Sequence, residues 1–234
     1  MTDKKISAAN PGEIRSFLDR LARMPIVKPK SSAGRLIFAL DATASREPTW
    51  QSAQQLQREM FDTAAGLGGL EIQLCYYRGL AEFYASRWTL DAGSLRHEMS
   101  GVECIGGYTQ IARVLEHAQV EAHRQKISAL VLIGDCMEEN LDLLLRHAGA
   151  LGLMGVRAFL FQEGYDSTAE MAFKQIAKLT QGAYCRFDAR SAAQLRELLG
   201  AVAAYAAGGL SALEQYSRER KGAALQITHQ MKRP

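Results

Sequence analysis

The sequence lacks a long apolar run, a secretory signal and any closely spaced pair of cysteines. No apolar stretch reaches about 18 residues, so no membrane span is predicted, and the N-terminal residues have neither the apolar core nor the cleavage site of a signal peptide. The four cysteines are too far apart for a Cys-x-x-Cys zinc or redox centre, and three of them sit in or beside apolar runs. We therefore expect a cytoplasmic protein that has no membrane partner and keeps its cysteines as reduced core thiols.

Several signatures of catalysis and of nucleic-acid binding are also missing. The chain contains no Gly-x-Gly-x-x-Gly dinucleotide motif, no P-loop and no Gly-x-Ser-x-Gly nucleophile elbow. Its net charge of +3 is small, and no zinc-finger spacing, RNP-type aromatic run or long basic stripe accompanies it. The excess of lysine and arginine at both ends is typical of solvated termini. These absences exclude the common nucleotide-binding and nucleic-acid-binding classes.

What is present is an ordinary globular composition, with 47% apolar and 23% charged residues. Apolar, partly β-branched runs occur at 35–41, 70–77, 127–134, 156–162 and 183–187. Segments with helical spacing separate or follow them, at 48–66, 109–126, 138–153, 167–180 and 191–206. This alternation predicts a three-layer, doubly wound, mostly parallel α/β sheet of the Rossmann-like class.

One segment interrupts the alternation. The stretch GLAEFYASRW follows the second predicted strand after only Arg78 and Gly79, which is too short a link for a crossover helix. We therefore expect one antiparallel edge strand beside the parallel ones. We also predict three parts of the chain: an N-terminal tail with a short amphipathic helix at 13–23 (1–33), the α/β domain (34–208), and a C-terminal helix with a basic tail (209–234).

Hard oxygen donors follow the predicted strands. In RLIFALDATASREP, Asp41 ends the first strand, and Thr43 and Ser45 follow at a two-residue spacing. Asp135 ends the run at 127–134 in the same manner, and Thr109 follows two glycines in CIGGYTQI. Ligands of doubly wound sheets bind outside the carboxyl ends of the strands. Two carboxylates at that edge repel one another unless a cation or a proton lies between them. The pattern predicts a site for Mg²⁺, with Mn²⁺ or Ca²⁺ as substitutes.

These motifs resemble the metal-ion-dependent adhesion site of von Willebrand factor A (vWA) domains, over roughly residues 33–206. The first motif of that family is usually Asp-x-Ser-x-Ser, and Thr43 departs from it by adding a methyl group while keeping the oxygen. The resemblance implies that Ser45, Thr43 and Thr109 touch the metal, and that Asp41 and Asp135 mainly hold its waters. It also implies a bacterial-type intracellular protein that binds an Asp or Glu of a partner and works within a larger assembly, including those driven by AAA-type ATPases.

Four further residues flank the metal motifs: Trp50, Tyr108, Met137 and Glu138. If they are exposed, these side chains are candidate partner-binding residues around the rim of the site. Core packing is an equally good interpretation of Trp50, Tyr108 and Met137, and capping of a helix N-terminus is the simpler one for Glu138.

Two other function classes stay open. A strand-end aspartate beside Mg²⁺ suits phosphoryl chemistry, so a Mg²⁺-dependent phosphohydrolase with Asp41 as nucleophile is one alternative. Against it, Thr43 occupies the position where a second carboxylate would act as general acid, and no lysine closely follows the fifth strand. The other alternative is a scaffold that keeps the fold but binds no metal. We expect a non-enzymatic binding module.

Overall fold

The computed structural model describes residues 34–48, 50, 70–187 and 192–231. The predicted helix at 13–23 and nearly all of the one at 48–66 lie outside these residues. Six strands form one sheet, in the order β3, β2, β1, β4, β5, β6, and only β3 runs antiparallel to its neighbour. The strands are β1 (Gly34–Asp41), β2 (Leu70–Arg78), β3 (Glu82–Ala85), β4 (Ala129–Gly134), β5 (Arg157–Glu163) and β6 (Ala183–Phe187). The predicted fold class, including the antiparallel edge strand, is confirmed.

Helices cover both faces of the sheet, which makes three layers. They are α1 (Ala92–Ser100), α2 (Ile111–Arg124), α3 (Leu141–Leu153), α4 (Ser167–Leu179), α5 (Ala192–Arg220) and α6 (Ala224–Met231). Alternate residues of β1 enter two separate cores: Leu36, Phe38 and Leu40 pack with α1, α5 and α6, whereas Ile37 and Ala39 pack with α2, α3 and α4. Because the central strands are buried on both faces, they appear in the sequence as unbroken apolar runs.

Helices α1 and α6 are absent from the sequence-based expectation. Only Leu95 and Met99 of α1 are buried, so its apolar spacing is too sparse to recognise. Its start is set instead by Asp91, whose carboxylate accepts hydrogen bonds from the N–H groups of Gly93 and Ser94. Helix α5 joins the helix predicted at 191–206 to the helix predicted after Gly209, and it is kinked at Gly209, which adopts a positive φ of 69°. Within the described residues, the helices are all too short or too polar to cross a bilayer.

A close backbone contact brings the loop before α2 to the carboxyl edge of the sheet. Gly79 donates its N–H to the carbonyl of Ile105, and Ile105 in turn donates to the carbonyl of Ala42, just beyond β1. A Cβ atom on Gly107 would lie 1.8 Å from the carbonyl oxygen of Gly79, so only glycine fits there. The loop that carries Thr109 is therefore held against the ends of β1 and β2.

The edge strand β6 is covered by a side chain. The carboxamide of Gln230, on α6, accepts a hydrogen bond from the N–H of Tyr184 at 3.0 Å and donates one to its carbonyl oxygen at 2.8 Å. These are the two bonds that a neighbouring strand would make. Gln230 therefore occupies a position on the strand edge where another chain could pair.

We expect Gln230→Ala to lower the free energy of unfolding by about 1 kcal/mol, because two hydrogen bonds to the backbone of β6 are lost. Urea unfolding measures this change, and amide hydrogen exchange at Tyr184 should accelerate. Gln226→Ala is the matched control, since Gln226 is an exposed glutamine on the same helix. Equal effects of the two substitutions would contradict a role for Gln230 at the strand edge.

Candidate metal centre

Asp41 and Asp135 follow neighbouring strands at the point where the strand order reverses. From β1 the chain proceeds to β2 on one side of it, and β4 pairs with β1 on the other side. Crevices in doubly wound sheets form at this position, outside the carboxyl ends of the strands. Asp41 is the last residue of β1, and Asp135 comes directly after the last residue of β4. The fold therefore brings the two predicted carboxylates to one crevice.

Asp41 is fully buried and held by two hydrogen bonds. Its Oδ1 accepts from the backbone N–H of Thr43 at 2.8 Å, and its Oδ2 accepts from the hydroxyl of Tyr77 at 3.0 Å. Burial raises the pKa of Asp41; the hydrogen bonds from Thr43 oppose this, and the charge of Asp135 adds to it. The ionised form of Asp41 is thus costly in the metal-free fold, and a cation beside it would offset that cost.

The loop after β1 brings the two predicted hydroxyls together. A single 3₁₀ turn spans Ala44–Arg46 and begins with a hydrogen bond from the N–H of Arg46 to the carbonyl of Thr43. In this turn the Thr43 Oγ1 and Ser45 Oγ atoms lie 3.1 Å apart. Thr43 is buried and Ser45 is exposed. The two-residue spacing in the sequence therefore becomes a pair of adjacent hard oxygen donors.

Asp135 has an oxygen atom that no described side chain or backbone group satisfies. Its Oδ1 is buried and has no hydrogen-bond partner within the described part of the chain. One ligand atom from each of Asp41, Asp135 and Cys136 lies within 4.8 Å of the others. An unsatisfied buried carboxylate oxygen in a cluster of donors fits a bound cation. Burial and the nearby Asp135 and Asp41 carboxylates raise the pKa of the Cys136 thiol to about 12.

Thr109 lies at the same edge but belongs to a different set of hydrogen bonds. Its N–H donates to the Glu138 carboxylate at 3.2 Å, and its hydroxyl oxygen accepts from the N–H of Glu138 at 3.1 Å. Glu139 accepts from the N–H groups of Ile111 and Ala112, in the first turn of α2. Burial raises the pKa of Glu139, and these hydrogen bonds oppose the shift. Thr109 therefore links α2 to the loop that follows Asp135.

Several charged and polar residues outside the predicted metal motifs also lie at this edge of the sheet. Arg46 is buried and forms an ion pair with Glu163, at the end of β5, with an Nη2 to Oε2 distance of 3.0 Å. The charge of Arg46 opposes part of the burial-driven rise in the pKa of Asp41. Position at a strand end could have revealed Tyr77 and Glu163, and adjacency to Asp135 could have revealed Cys136. No local pattern marks Arg46, because its partner lies over a hundred residues away.

The four candidate rim residues fall into two groups. Trp50 is only 6% exposed and donates its indole N–H to the carbonyl of Val102, while Met137 is 8% exposed. Both pack in the core and offer no surface to a partner. Tyr108 is 61% exposed, and Glu138 is also exposed. Of the four, Tyr108 and Glu138 remain available at the rim.

Comparison with solved structures identifies the architecture. The protein resembles a von Willebrand factor type A protein from Catenulispora acidiphila, with a TM-score of 0.63 and 16% identity, over 76% of this chain and 43% of that one. It also resembles the VWA domain of SpRpn10, with a TM-score of 0.59 and 12% identity, over 70% of this chain and 94% of that one. The fold is that of a vWA domain.

A third vWA-type neighbour carries a metal. It is proximal thread matrix protein 1 from the mussel byssus, solved with zinc in its metal-ion-dependent adhesion site. The TM-score is 0.58 at 16% identity, over 72% of this chain and 45% of that one. The chain thus spans less than half of two of these three neighbours, and the low identities show the vWA fold alone. No family model matches the sequence, and no curated protein does.

We expect Asp41→Asn to raise the free energy of unfolding of the metal-free protein at neutral pH, on the order of 1 kcal/mol, because it removes a buried charge while keeping a hydrogen-bond acceptor. Because the pKa of Asp41 is raised in the folded state, ionisation of Asp41 costs stability, and this cost grows as the pH rises above the pKa of Asp41 in the unfolded chain. The gain should therefore disappear at low pH, where Asp41 of the wild type is protonated.

Urea unfolding in EDTA, repeated across pH, measures this difference. Asp142→Asn is the control, since Asp142 is an exposed acid in the first turn of α3. An Asp41→Asn protein no more stable than wild type at neutral pH would contradict an unfavourable charge at Asp41.

Proposed function

We propose that this chain is a metal-dependent protein-binding module of the vWA type. A divalent cation at the carboxyl edge of the sheet, Mg²⁺ with Mn²⁺ or Ca²⁺ as substitutes, would accept an Asp or Glu carboxylate from a partner protein. The observation that carries the proposal is the pair of buried Asp41 and half-buried Asp135, whose carboxylate oxygens lie within 4.8 Å of each other. The adjacent hydroxyls of Thr43 and Ser45 add hard donors.

Some side chains would bind the ion directly, and others would hold the water molecules bound to it. Each Asp41 oxygen already accepts one hydrogen bond, which leaves lone pairs for water bound to the metal. Asp135 Oδ1 has no partner within the described residues. The family resemblance assigns direct contact to Thr43, Ser45 and Thr109. Two carboxylates only just neutralise a divalent ion, and the hydroxyls add no further negative charge. An open coordination position on the ion would therefore stay electrophilic enough to attract a carboxylate from a partner.

The neighbours support a binding role for this edge of the sheet. The mussel protein shows that a vWA adhesion site can hold a divalent ion, zinc in that case. In the present chain, exposed Tyr108 and Glu138 border the metal motifs and would contact the partner. We propose a cytoplasmic adaptor or assembly subunit, in the class that includes assemblies driven by AAA-type ATPases.

The two alternatives predict different behaviour. A phosphohydrolase with Asp41 as nucleophile would turn over a generic phosphate ester in Mg²⁺, and Asp41→Asn would abolish that turnover. A metal-free scaffold would show no change in stability or binding on addition of EDTA. We propose that the protein is not an enzyme, because the family resemblance favours binding and Thr43 occupies the position where a phosphohydrolase would need a second carboxylate.

We expect calorimetry to detect Mg²⁺ and Mn²⁺ binding to the wild type, and Asp41→Ala and Asp135→Ala to weaken it by about 10- to 100-fold. The reason is that each substitution removes a carboxylate that holds the ion or its waters. Asp142→Ala should bind as wild type does. Binding that survives loss of both Asp41 and Asp135 would contradict this site.

We further expect a carboxylate to enter the coordination sphere. Water-proton relaxation by bound Mn²⁺ should fall when millimolar acetate is added, because acetate displaces a metal-bound water, and should not change with neutral acetamide. Equal responses to acetate and acetamide would show that the metal binds but does not accept carboxylates.

A further inference from the structure

Cys136 is the one member of the donor cluster whose chemistry differs from the rest. Its Sγ atom lies within 4.8 Å of carboxylate oxygens from both Asp41 and Asp135. Cys75 and Cys185 are buried within the two cores, whereas Cys136 is half-buried at the carboxyl edge of the sheet. The sequence pattern predicts reduced core thiols, whereas Cys136 lies beside the candidate metal centre.

The spacing of the three donors suits one ion. A tetrahedral zinc ion binds sulfur at about 2.3 Å and carboxylate oxygen at about 2.0–2.2 Å, which places these two ligands about 3.6 Å apart. The three donor atoms lie within 4.8 Å of one another, so side-chain movements of about 1 Å would bring them onto a single ion. Asp135 Oδ1, buried and without a hydrogen-bond partner among the described residues, provides an independent sign that a ligand belongs here.

The buried cation described near the cluster is already paired with another carboxylate. Arg46 is the buried cation nearest in sequence to the cluster, and its guanidinium contacts the Glu163 carboxylate at 3.0 Å. Its positive charge also acts on Asp41, but it is the weakest of the influences on the pKa of that carboxyl. The pair of Asp41 and Asp135 therefore retains net negative charge at the position where the thiol lies, which favours a divalent ion there.

We propose that Cys136 is a direct metal ligand and that it gives this site a preference for zinc over magnesium. This inference deepens the proposed function, since it concerns the ion held at the same edge. Hard oxygen donors alone favour Mg²⁺, but sulfur is a soft ligand that selects zinc and cobalt and contributes little to Mg²⁺. On binding, the thiol releases its proton to solvent and the sulfur donates to the ion.

Cobalt(II) is the probe, because it replaces zinc and its bond to a thiolate gives a near-ultraviolet charge-transfer band. We expect the wild type to show this band and Cys136→Ser to lose it. Cys136→Ser should weaken zinc binding by about 10- to 100-fold, while its Mg²⁺ binding by calorimetry stays within about twofold of wild type. Cys104→Ser is the matched control, since Cys104 is the other half-buried cysteine, and it should keep the band.

The outcomes separate this inference from the proposed function. Loss of the band and of zinc affinity in Cys136→Ser alone supports the inference. Cobalt binding without the band, or a band that survives in Cys136→Ser, overturns it; if Mg²⁺ still binds through Asp41 and Asp135, the proposed function stands. Failure of the wild type to bind magnesium, zinc and cobalt overturns both.

Discussion

The pairing of β1 with β2 on one side and β4 on the other is the interaction on which the rest of the structure depends. Its register places Asp41 opposite Tyr77, so that the Tyr77 hydroxyl reaches the Asp41 carboxylate. The same pairing brings the end of β4, and therefore Asp135, alongside the end of β1. A shift of one residue would turn these side chains to the other face and dismantle the cluster.

Acidic side chains accumulate at this edge, and the fold satisfies them in different ways. Glu139 accepts hydrogen bonds from two N–H groups in the first turn of α2, and Glu163 forms an ion pair with the guanidinium of Arg46. Asp41 accepts one hydrogen bond from a backbone N–H and one from a hydroxyl. Asp135 differs from these residues, because its buried Oδ1 has neither a hydrogen bond nor an ion pair in the described part of the chain. A carboxylate left in this state between satisfied neighbours indicates a place built for a ligand.

The donors at this edge stand on two kinds of support, strand ends and short loops. Asp41 lies on a central strand, and the Thr109 loop is held by the contact between Gly79 and Gly107. Thr43 and Ser45 stand on a single 3₁₀ turn, which Arg46 anchors through its ion pair with Glu163. Strand ends thus provide the charge, and short loops provide the neutral oxygens. Binding sites commonly carry their binding groups on loops that a rigid scaffold positions.

The sequence alone determined the alternation of strands and helices, and the strand-end positions of Asp41 and Asp135, because apolar periodicity and the residue that ends a strand are local properties. It left out α1, whose cap is Asp91, and α6, whose role at β6 depends on Gln230. Only the tertiary structure decided that Cys136 lies beside Asp41 and that Arg46 pairs with Glu163. Those contacts join segments distant in sequence, and no local pattern encodes which way a side chain turns once the strands have paired.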